Sequence, residues 1–350
     1  MNLAVPLDLA PMEARLVDEI PHTGNWQYEP KWDGFRCLAF RAGDEVRLRS
    51  KSGRDLERYF PEVVERLGRL SCSHFVLDGE LVIERDGRLW FDELLQRIHP
   101  AASRVAKLAR ERAASYLVFD VLATGERESL VGVALAERRV RLERFFECCV
   151  PRDVDVRLSP TTTELAGVDA WYARAGGALD GVVAKDRDAP YRAGERDAVL
   201  KIKPVRSADC VVGGYRVAAD GTTLGSLLLG LYDADGALHY VGFTSGYDAA
   251  TKREVLARLA PLATSASFTG RAPGGPGRWS RGASTEWRPV RPELVLEVAF
   301  DQVTAGRFRH GTRPLRWRPD KATRSCTMHQ IDLADAPCLR STARRISRSD

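Results

Sequence analysis

A lysine followed two residues later by an aspartate and a glycine is the feature of this sequence with the clearest chemical potential. The lysine is Lys31, and Asp33, Gly34 and Arg36 follow it. An ammonium group cannot attack an electrophile, so a nucleophilic lysine needs burial or neighbouring positive charge to favour its neutral form. A glycine turn lets backbone approach a phosphate, and an arginine offers that phosphate two parallel donors. The spacing therefore predicts a nucleophile beside a phosphate site, although so short a motif also arises by chance.

Six further segments with polar residues at fixed positions follow in order. They lie at residues 50–53, 77–81, 116–120, 180–185, 200–204 and 315–321. This ordered set resembles the motifs of the covalent nucleotidyltransferases, and most closely the ATP-dependent DNA ligases of the short, ligase C-like bacterial type. The resemblance extends from about residue 11 to about residue 331. Six ordered matches beyond the lysine motif make chance a poor explanation.

The resemblance implies a covalent role for Lys31. In the family, this lysine attacks the α-phosphate of ATP, releases pyrophosphate and carries AMP. Later lysines hold the α-phosphate, an aromatic ring stacks on adenine, and an acid two residues before the nucleophile meets the adenine edge. By the same resemblance the nucleotide-binding residues are Glu29, Arg36, Glu80, Phe119, Lys185, Lys201 and Lys203. Each lysine taken singly could instead be a solvated surface residue. Lys201 and Lys203, however, share one face of a predicted strand, which favours function.

Two acids of the motifs are candidates for metal binding. The resemblance implies that Glu80 contacts the ribose or a metal ion and that Asp180 binds the ion that neutralises the phosphates. Carboxylate oxygens suit Mg²⁺ or Mn²⁺. The family more often has glutamate at the position of Asp180, so its metal contact is either direct at a shorter reach or bridged by water. The alternative is that Asp78-Gly79 and Asp180-Gly181 are simple turn dipeptides.

Four basic residues are candidates for the phosphates of DNA. Lys51 stands where the family usually has arginine, and Arg49 and Arg54 are near enough in sequence to supply that contact. Arg196, just before the segment at 200–204, is a further candidate. The resemblance implies nicked duplex DNA as the partner, with AMP passing to the 5′-phosphate before the 3′-hydroxyl closes the strand in DNA repair.

The last motif lies in a strongly basic segment. Residues 307–324 hold about seven basic side chains and one acidic one, and the basic set includes Arg316, Arg318 and Lys321. The resemblance implies that these three residues bind the β- and γ-phosphates of ATP and then withdraw when DNA binds. That exchange predicts rotation of the second domain about a hinge near residues 204–206. The alternative is a basic edge for the DNA backbone, and both roles are compatible at different steps.

The pattern of elements predicts an α+β protein. Helices and strands are interspersed without the regular alternation of a doubly wound parallel fold. We expect an adenylation (nucleotidyltransferase) domain at residues 1–204, with antiparallel sheets and flanking helices, and a C-terminal OB-fold β-barrel at residues 205–332. Residues 270–284 are predicted to form a mobile loop, and residues 333–350 a flexible tail. Within the first domain, strands are expected near residues 35–40, 46–49, 75–84, 89–91, 116–122, 181–185 and 199–203, and helices from residue 61 and near 104–114 and 135–146.

Length and charge agree with this organisation. A chain of 350 residues with 44% hydrophobic residues can bury the cores of two domains. The net charge of +5 is uneven, since residues 1–200 hold about 30 basic and 34 acidic side chains and residues 201–350 about 23 and 14. A basic, arginine-rich second half predicts a polyanionic partner, although a GC-rich genome also enriches arginine.

The seven cysteines show no Cys-x-x-Cys spacing, and their number is odd. We therefore expect reduced thiols in a cytoplasmic protein rather than a disulfide framework or a zinc site. The first residues lack the pattern of a signal peptide, and no run of about 18 apolar residues appears, so no membrane association is expected.

Two other functions remain compatible with the same motifs. An RNA ligase or an mRNA capping guanylyltransferase would use the same lysine chemistry, and labelled ATP or GTP together with nicked DNA or RNA separates them. A silent nucleic-acid-binding protein that keeps the fold is the rival of another class. Absence of an acid-labile, ATP-derived adduct would favour that rival.

Overall fold

The structure is a computed structural model that describes residues 1–173, 179–218, 220–274, 286–332 and 338–339. The chain divides into two compact units, the first Met1–Lys203 and the second beginning at Pro204. Val205 and Arg206, predicted as part of a hinge, belong instead to a strand of the second unit, because both pair with neighbouring strands. Most of the predicted tail and residues 275–284 of the predicted loop lie outside the described residues.

The described part of the first unit contains two sheets, one small hairpin, five α-helices and a 3-10 helix at Glu57–Tyr59. Its strands are β1 Arg15–Val17, β2 Trp26–Lys31, β3 Phe35–Ala42, β4 Glu45–Ser50, β5 His74–Val82, β6 Glu84–Arg85, β7 Arg88–Leu89, β8 Ser115–Thr124, β9 Val156–Leu158, β10 Gly181–Asp186 and β11 Val199–Ile202. Its α-helices are α1 Pro61–Gly68, α2 Phe91–Arg97, α3 Ala102–Glu111, α4 Leu135–Cys149 and α5 Leu165–Ala173.

The four-stranded sheet has the order β1-β11-β10-β2. Side chains alternate between the two faces of a strand, so each face collects every second residue. One face is apolar: Tyr28, Val182 and Leu200 are buried there, together with Val168 of α5. The polar residues between them therefore lie on the opposite face.

The five-stranded sheet has the order β4-β3-β5-β8-β9, and only the β8-β9 pair is parallel. Cys37, Ala39 and Leu77 face the main core, where Leu67 of α1 and Leu142 of α4 cover them. The other face carries a smaller apolar cluster and, at one end, a group of charged residues. Both sheets thus bury one apolar face and present polar residues on the other.

The second unit is rich in strands. It contains β12 Val205–Val217, β13 Leu224–Tyr232, β14 Leu238–Thr244, α6 Ala249–Leu259, β15 Arg288–Pro289, β16 Val295–Phe300, β17 Val303–Thr304, β18 Arg307–Phe308, β19 Arg313–Trp317 and β20 Cys338–Leu339. The main sheet runs β14-β13-β12-β16-β19, with β15 and β20 also on β12. The long, bulged β12 pairs with β16 through its first half and with β13 through its second.

A closed OB-fold barrel is not confirmed in this unit. In the described residues the two end strands of the sheet are joined by a single bridge between Thr244 and Thr312, not by a ladder. The sheet-rich character and the single inserted α-helix are confirmed. Sequence patterns predict strands from local residues, whereas barrel closure depends on pairing between distant edges, which those patterns do not specify.

Most elements predicted in the first unit are present. The hairpin of β3 and β4, the helix that begins at Pro61 and strand β8 lie where the patterns place them. Helix α2 was not predicted: Phe91 was assigned to a returning strand, but the return ends at Leu89. Only seven residues form this helix, too few to show a clear helical period.

One expectation about the cysteines was wrong. Cys72, just before β5, and Cys149, the last residue of α4, form a disulfide, with Cα atoms 5.2 Å apart. The two residues are 77 positions apart in sequence, so no short spacing could reveal the pair. Cys37, Cys148, Cys210 and Cys326 are free thiols. No helix in the described parts of the chain is both long and apolar enough to cross a membrane.

Candidate active site

Lys31 is the last residue of β2 and lies beside Asp180. The two strands β2 and β10 pair with Lys31 opposite Gly181, and the Asp180 N–H donates to the Lys31 carbonyl at 2.8 Å. The Lys31 Nζ forms an ion pair with Asp180 Oδ2, while Lys203 Nζ lies 3.1 Å from Oδ1. Asp180 is 5% exposed. A buried carboxylate thus receives two ammonium groups from neighbouring strands.

Gly181 is required for this arrangement. Its φ of +136° belongs to a region that L side chains rarely adopt, and a Cβ at this position would overlap the carbonyl oxygen of Ile202. The close approach of β10 and β11 therefore depends on a residue without a side chain. It also brings Asp180, at the start of β10, next to Lys203, which follows β11.

A second buried group lies farther along the same face. Glu29 accepts from Gln27 Nε2 at 2.8 Å through one oxygen, and its other oxygen lies 2.8 Å from Lys185 Nζ. All three side chains are more than nine-tenths buried. The Lys185 ammonium also lies 4.3 Å from the centre of the Phe119 ring on β8. This contact joins the two sheets of the first unit around the candidate nucleotide site.

Arg36 is held by a buried acid. Its Nε and Nη2 each donate to Asp78 at 2.6 Å, and Tyr191 Oη donates to the same carboxylate at 2.6 Å. Asp78 has no exposed surface. Although burial opposes the charged form of Arg36, Asp78 outweighs it and raises the pKa of the guanidinium. The guanidinium also lies 4.4 Å from the centre of the Phe119 ring, so Arg36 forms a wall beside that ring.

Glu80 lies opposite Arg36 in the pairing of β3 with β5. Burial raises the pKa of Glu80 to about 7, although Arg36 and Lys31 act in the opposite direction. Asp33 and Asp78 add to the increase because they are like charges. The Glu80 carboxyl group therefore lies within the electrostatic reach of Lys31 and changes its charge near neutral pH.

Lys201 lies on β11, in register with Val183 of β10. Burial lowers the pKa of its amine, and Lys31, Lys203, Lys51 and Arg196 add to this effect. Five basic side chains thus lie within electrostatic reach of one another near Lys201. Such a group favours an anion with several oxygens, such as a phosphate.

Of the four candidates for contact with DNA phosphates, two share a carboxylate partner and two do not. Lys51 Nζ lies 3.1 Å from Glu13 Oε1, and Arg196 donates to Glu13 Oε2 through Nε at 2.7 Å. Arg49 forms an ion pair with Asp55 and donates to a backbone carbonyl of the same turn. Arg54 is exposed. Only Lys51 and Arg196 are therefore brought together.

The basic motif of the second unit is paired with acids on β12 and β16. Arg318 Nη1 donates to Asp209 at 2.8 Å, and Lys321 Nζ lies 3.3 Å from the same carboxylate. Arg316 Nε donates to Glu297 at 2.7 Å. Asp209 and Glu297 face each other across β12 and β16, and Glu297 faces Arg316 across β16 and β19. Asp209, Glu297 and Arg316 thus form a row of charges across three strands, and Arg318 and Lys321, which follow β19, pair with its Asp209 end.

The donor set for a metal ion is small. In the described residues, no group of three or more histidine, cysteine, aspartate or glutamate side chains comes together as a cage. Mg²⁺ usually keeps several waters and binds through one or two carboxylates plus the substrate phosphates. Buried Asp180, with Glu80 on the other sheet, fits that pattern because each offers hard oxygen ligands near Lys31.

Several residues of the site were not identified from the sequence. Gln27 could have been found, because alternation along β2 places it on the face of Glu29 and Lys31. Asp78 likewise shares a face with Glu80 on β5, although the sequence also allowed a turn there. Glu13, Tyr191 and Asp209 gave no sequence signal, since each has a partner more than 100 residues away.

Comparison with known proteins identifies the family. Residues 11–203 match the ATP dependent DNA ligase domain, and residues 220–321 match the ATP dependent DNA ligase C terminal region. The chain belongs to the ATP-dependent DNA ligases. DNA ligase C1 of Mycolicibacterium smegmatis is 43% identical over 95% of this ligase and 96% of its own length. The resemblance drawn from the motifs, and the expected ligase activity, are thereby confirmed.

Two further relatives extend the comparison. The multifunctional non-homologous end joining DNA repair protein LigD of Mycobacterium tuberculosis is 32% identical over 85% of this ligase but only 36% of its own length. A solved Lig E DNA ligase covers 88% of this chain and 99% of its own, with a TM-score of 0.56 and 16% identity. That structural likeness supports the fold alone.

Proposed function

We propose that this ATP-dependent DNA ligase seals nicks in duplex DNA through an AMP adduct on Lys31. The observation that supports the role of Lys31 is its position at the end of β2, where its amine pairs with Asp180, which also pairs with Lys203, and lies within electrostatic reach of Lys201. The buried group of Glu29, Lys185 and Phe119 begins two residues away on the same face of the strand.

In the first step, the Lys31 amine leaves its ion pair with Asp180 and attacks the α-phosphate of ATP. The amine must have lost its proton to attack. A P–N bond then forms as the bond between the α-phosphorus and the pyrophosphate oxygen breaks. Lys201 and Lys203 hold the α-phosphate, while Glu29 and Lys185 meet the nucleotide near Phe119. In the proposed scheme Arg316, Arg318 and Lys321 contact the departing pyrophosphate.

Asp180 and Glu80 would hold Mg²⁺ or Mn²⁺, which neutralises phosphate charge when bound. Asp180 is suited to this exchange because its carboxylate already carries two ammonium groups in a buried position. If Asp180 binds a metal cation, its ion pair with Lys31 is lost. Arg36 remains on Asp78 and acts as a fixed wall beside the base, instead of the phosphate ligand that its sequence position first indicates.

In the second and third steps, the adduct meets DNA. An oxygen of the 5′-phosphate attacks the AMP phosphorus, and the P–N bond to Lys31 breaks. The 3′-hydroxyl then attacks the activated 5′-phosphate, and AMP leaves. Lys51 and Arg196 are the proposed contacts of the 5′-phosphate, with exposed Arg54 and Arg49 as flanking contacts. The kinship with a DNA repair protein supports a role in repair. The pairing of the long β12 with both β13 and β16, together with the single α-helix α6 inserted between strands, supports an OB-type second domain.

Mass spectrometry after incubation with ATP and Mg²⁺ tests the proposal. We expect the intact protein to gain the mass of one AMP, with the modified peptide containing Lys31. Lys31→Ala should abolish the adduct and still seal a nick that already carries AMP on its 5′-phosphate, because the lysine acts mainly before DNA enters. Lys252→Ala, on α6 of the second unit, is the matched control and should form the adduct normally.

The two readouts separate the possible failures. An adduct formed with GTP but not with ATP would indicate a capping guanylyltransferase instead of a ligase. Equal loss of adduct formation and of sealing in Lys31→Ala would contradict the assigned role of Lys31. Sealing of nicked RNA in preference to nicked DNA would overturn the proposed substrate.

A further inference from the structure

Glu13 joins two of the cations proposed to contact DNA. Its Oε2 accepts from Nε and Nη2 of Arg196 at 2.7 and 2.6 Å, and its Oε1 lies 3.1 Å from Lys51 Nζ. The side chain of Glu13 is 21% exposed, against 66% for Arg196 and 58% for Lys51. The carboxylate is therefore the most buried of the three groups, and the two cations keep most of their surface in solvent.

The backbone of Glu13 is fixed to the loop that carries Arg196. The Glu13 N–H donates to the Glu195 carbonyl at 2.8 Å, and the Gly194 N–H donates to the Pro11 carbonyl at 3.3 Å. An isolated surface ion pair contributes little to stability, in part because two mobile side chains must be ordered. Here the acid starts from an ordered backbone, so its position does not depend on the ion pairs.

The residue before Glu13 ties this segment to the active site. The Met12 N–H donates to Tyr191 Oη at 3.0 Å, and the Met12 carbonyl accepts from Arg36 Nη2 at 3.4 Å. Tyr191 and Arg36 both meet the buried Asp78 carboxylate. The Glu13 carboxylate is thus supported by a rigid hydrogen-bonded network that also holds the wall of the nucleotide site.

We propose that Glu13 is a positioning residue that fixes Lys51 and Arg196 as one preformed site for a phosphate group, the 5′-phosphate at the nick. The inference rests on the proposed function of these two cations. Arg196 meets Glu13 through Nε and Nη2, so the edge of its guanidinium with Nη1 is the edge available to a phosphate. Ordering a long side chain on binding costs conformational entropy, and Glu13 orders two such side chains before DNA arrives.

Charge supports the same arrangement. Burial opposes the charged form of Glu13, but Lys51 and Arg196 outweigh it and lower the pKa of its carboxyl group, so the carboxylate stays charged at neutral pH. The three groups together carry a single positive charge. The specificity for phosphate then depends on the geometry of the two cations more than on the total charge of the surface.

Binding to two nicked duplexes of the same sequence tests the inference, one with a 5′-phosphate and one with a 5′-hydroxyl. We expect Glu13→Gln to lower the preference for the phosphorylated nick by about fivefold, because two side chains lose their fixed position. Formation of the Lys31 adduct, which needs no DNA, should stay normal. Glu45→Gln is the control, since Glu45 forms an exposed pair with Arg47 at 2.8 Å in the same unit and should leave the preference unchanged.

Combined substitutions distinguish failure of the inference from failure of the proposed function. If Glu13 acts through Lys51 and Arg196, its effect should largely vanish in a background that lacks both cations. A higher preference for the phosphorylated nick in Glu13→Gln would show that the carboxylate competes with phosphate, and would overturn the inference. An unchanged preference in Glu13→Gln, with a reduced one in Lys51→Ala, would overturn the inference and leave the proposed function intact. If Lys51→Ala and Arg196→Ala also leave the preference unchanged, both proposals fail.

Discussion

Most lysines of the candidate site form an ion pair with a carboxylate, and Lys201 is the exception. Asp180 pairs with Lys31 and Lys203, and Glu29 pairs with Lys185. Lys201 has no carboxylate partner among the described residues, and burial together with nearby cations lowers its pKa. An anion that enters the site therefore gains most from Lys201, whose charge is not already balanced. This difference favours Lys201 as a first contact for the α-phosphate.

Glu80 gives the site a pH dependence with a definite sign. Burial raises the pKa of its carboxyl group from the ordinary 4.5 to about 7. Between these two values the folded protein holds a proton that the unfolded chain has lost. The contribution of Glu80 to stability is therefore fully present below about pH 4.5 and decreases as the pH rises through 7.

Glu80→Gln should remove this pH dependence, because the amide resembles the protonated acid. We expect the variant to gain stability relative to the parent protein at pH 8.5 and to gain less at pH 5. Urea unfolding at the two pH values, without nucleotide and with a chelator present, measures the difference. Glu84→Gln, on the exposed strand β6, is the control. A difference that does not change with pH would contradict the assigned shift.

At the scale of elements, the site depends on how closely β10 approaches β11. The positive φ of Gly181 and the lack of room for a Cβ against Ile202 leave no space for a side chain between the two strands at this point. Asp180 comes directly before it, and Lys203 directly follows β11. A change in the spacing of these two strands therefore moves the metal candidate relative to Lys31.

Gly181→Ala should destabilise the first unit by about 1–3 kcal/mol, since the substitution forces both strain and a backbone shift. We also expect slower formation of the Lys31 adduct, measured in single turnover with ATP. Gly43→Ala is a matched control, because Gly43 also has a positive φ but an added Cβ would meet nothing within 4 Å. Equal effects of the two substitutions would show that strand approach at Gly181 is unimportant.

Alternation along strands is the part of this architecture that the sequence specifies best. It places Glu29 and Lys31 on one face of β2 and separates them from Tyr28, which packs in the core. The contacts between sheets could not be predicted in the same way. The Arg36–Asp78 pair and the Lys185–Phe119 contact depend on strand order and register, which arise from pairing across 40 to 70 residues. Barrel closure in the second unit is unspecified for the same reason.

At the scale of the whole molecule, the basic motif of the second unit balances its charges internally. Asp209 pairs with Arg318 and Lys321, Glu297 accepts from Arg316, and Asp320 accepts from Arg318. Asp320 has its pKa lowered to about 2 by the hydrogen bonds from Arg318, so it is charged throughout the neutral range. A row that carries no net charge is a weak general attractor for DNA backbone. The basic residues of this row are better suited to leave their acidic partners and bind a highly charged pyrophosphate selectively.

Lys321→Ala should therefore slow formation of the Lys31 adduct by about tenfold or more, while sealing of pre-adenylylated nicks changes little. The reason is that pyrophosphate leaves only in the first half-reaction. Rates of the two half-reactions, measured separately, decide the matter. Lys252→Ala on α6 is the control for loss of a lysine in the same unit. A normal adduct rate with weaker, less salt-sensitive DNA binding would instead assign Lys321 to the DNA backbone.

The segment before β1 has a consequence for how the ligase can be shortened or cut. Removing residues 1–13 would leave every strand from β1 onward in the chain, because β1 begins at Arg15. It would nevertheless take the Met12 peptide group from between Arg36 and Tyr191, and the Glu13 carboxylate from beneath Lys51 and Arg196. Limited proteolysis in this segment would thus keep every strand in the chain, but it would remove Val5 and Met12 from the apolar cluster on the five-stranded sheet and damage recognition. The minimal catalytic fragment begins before the first strand, not with it.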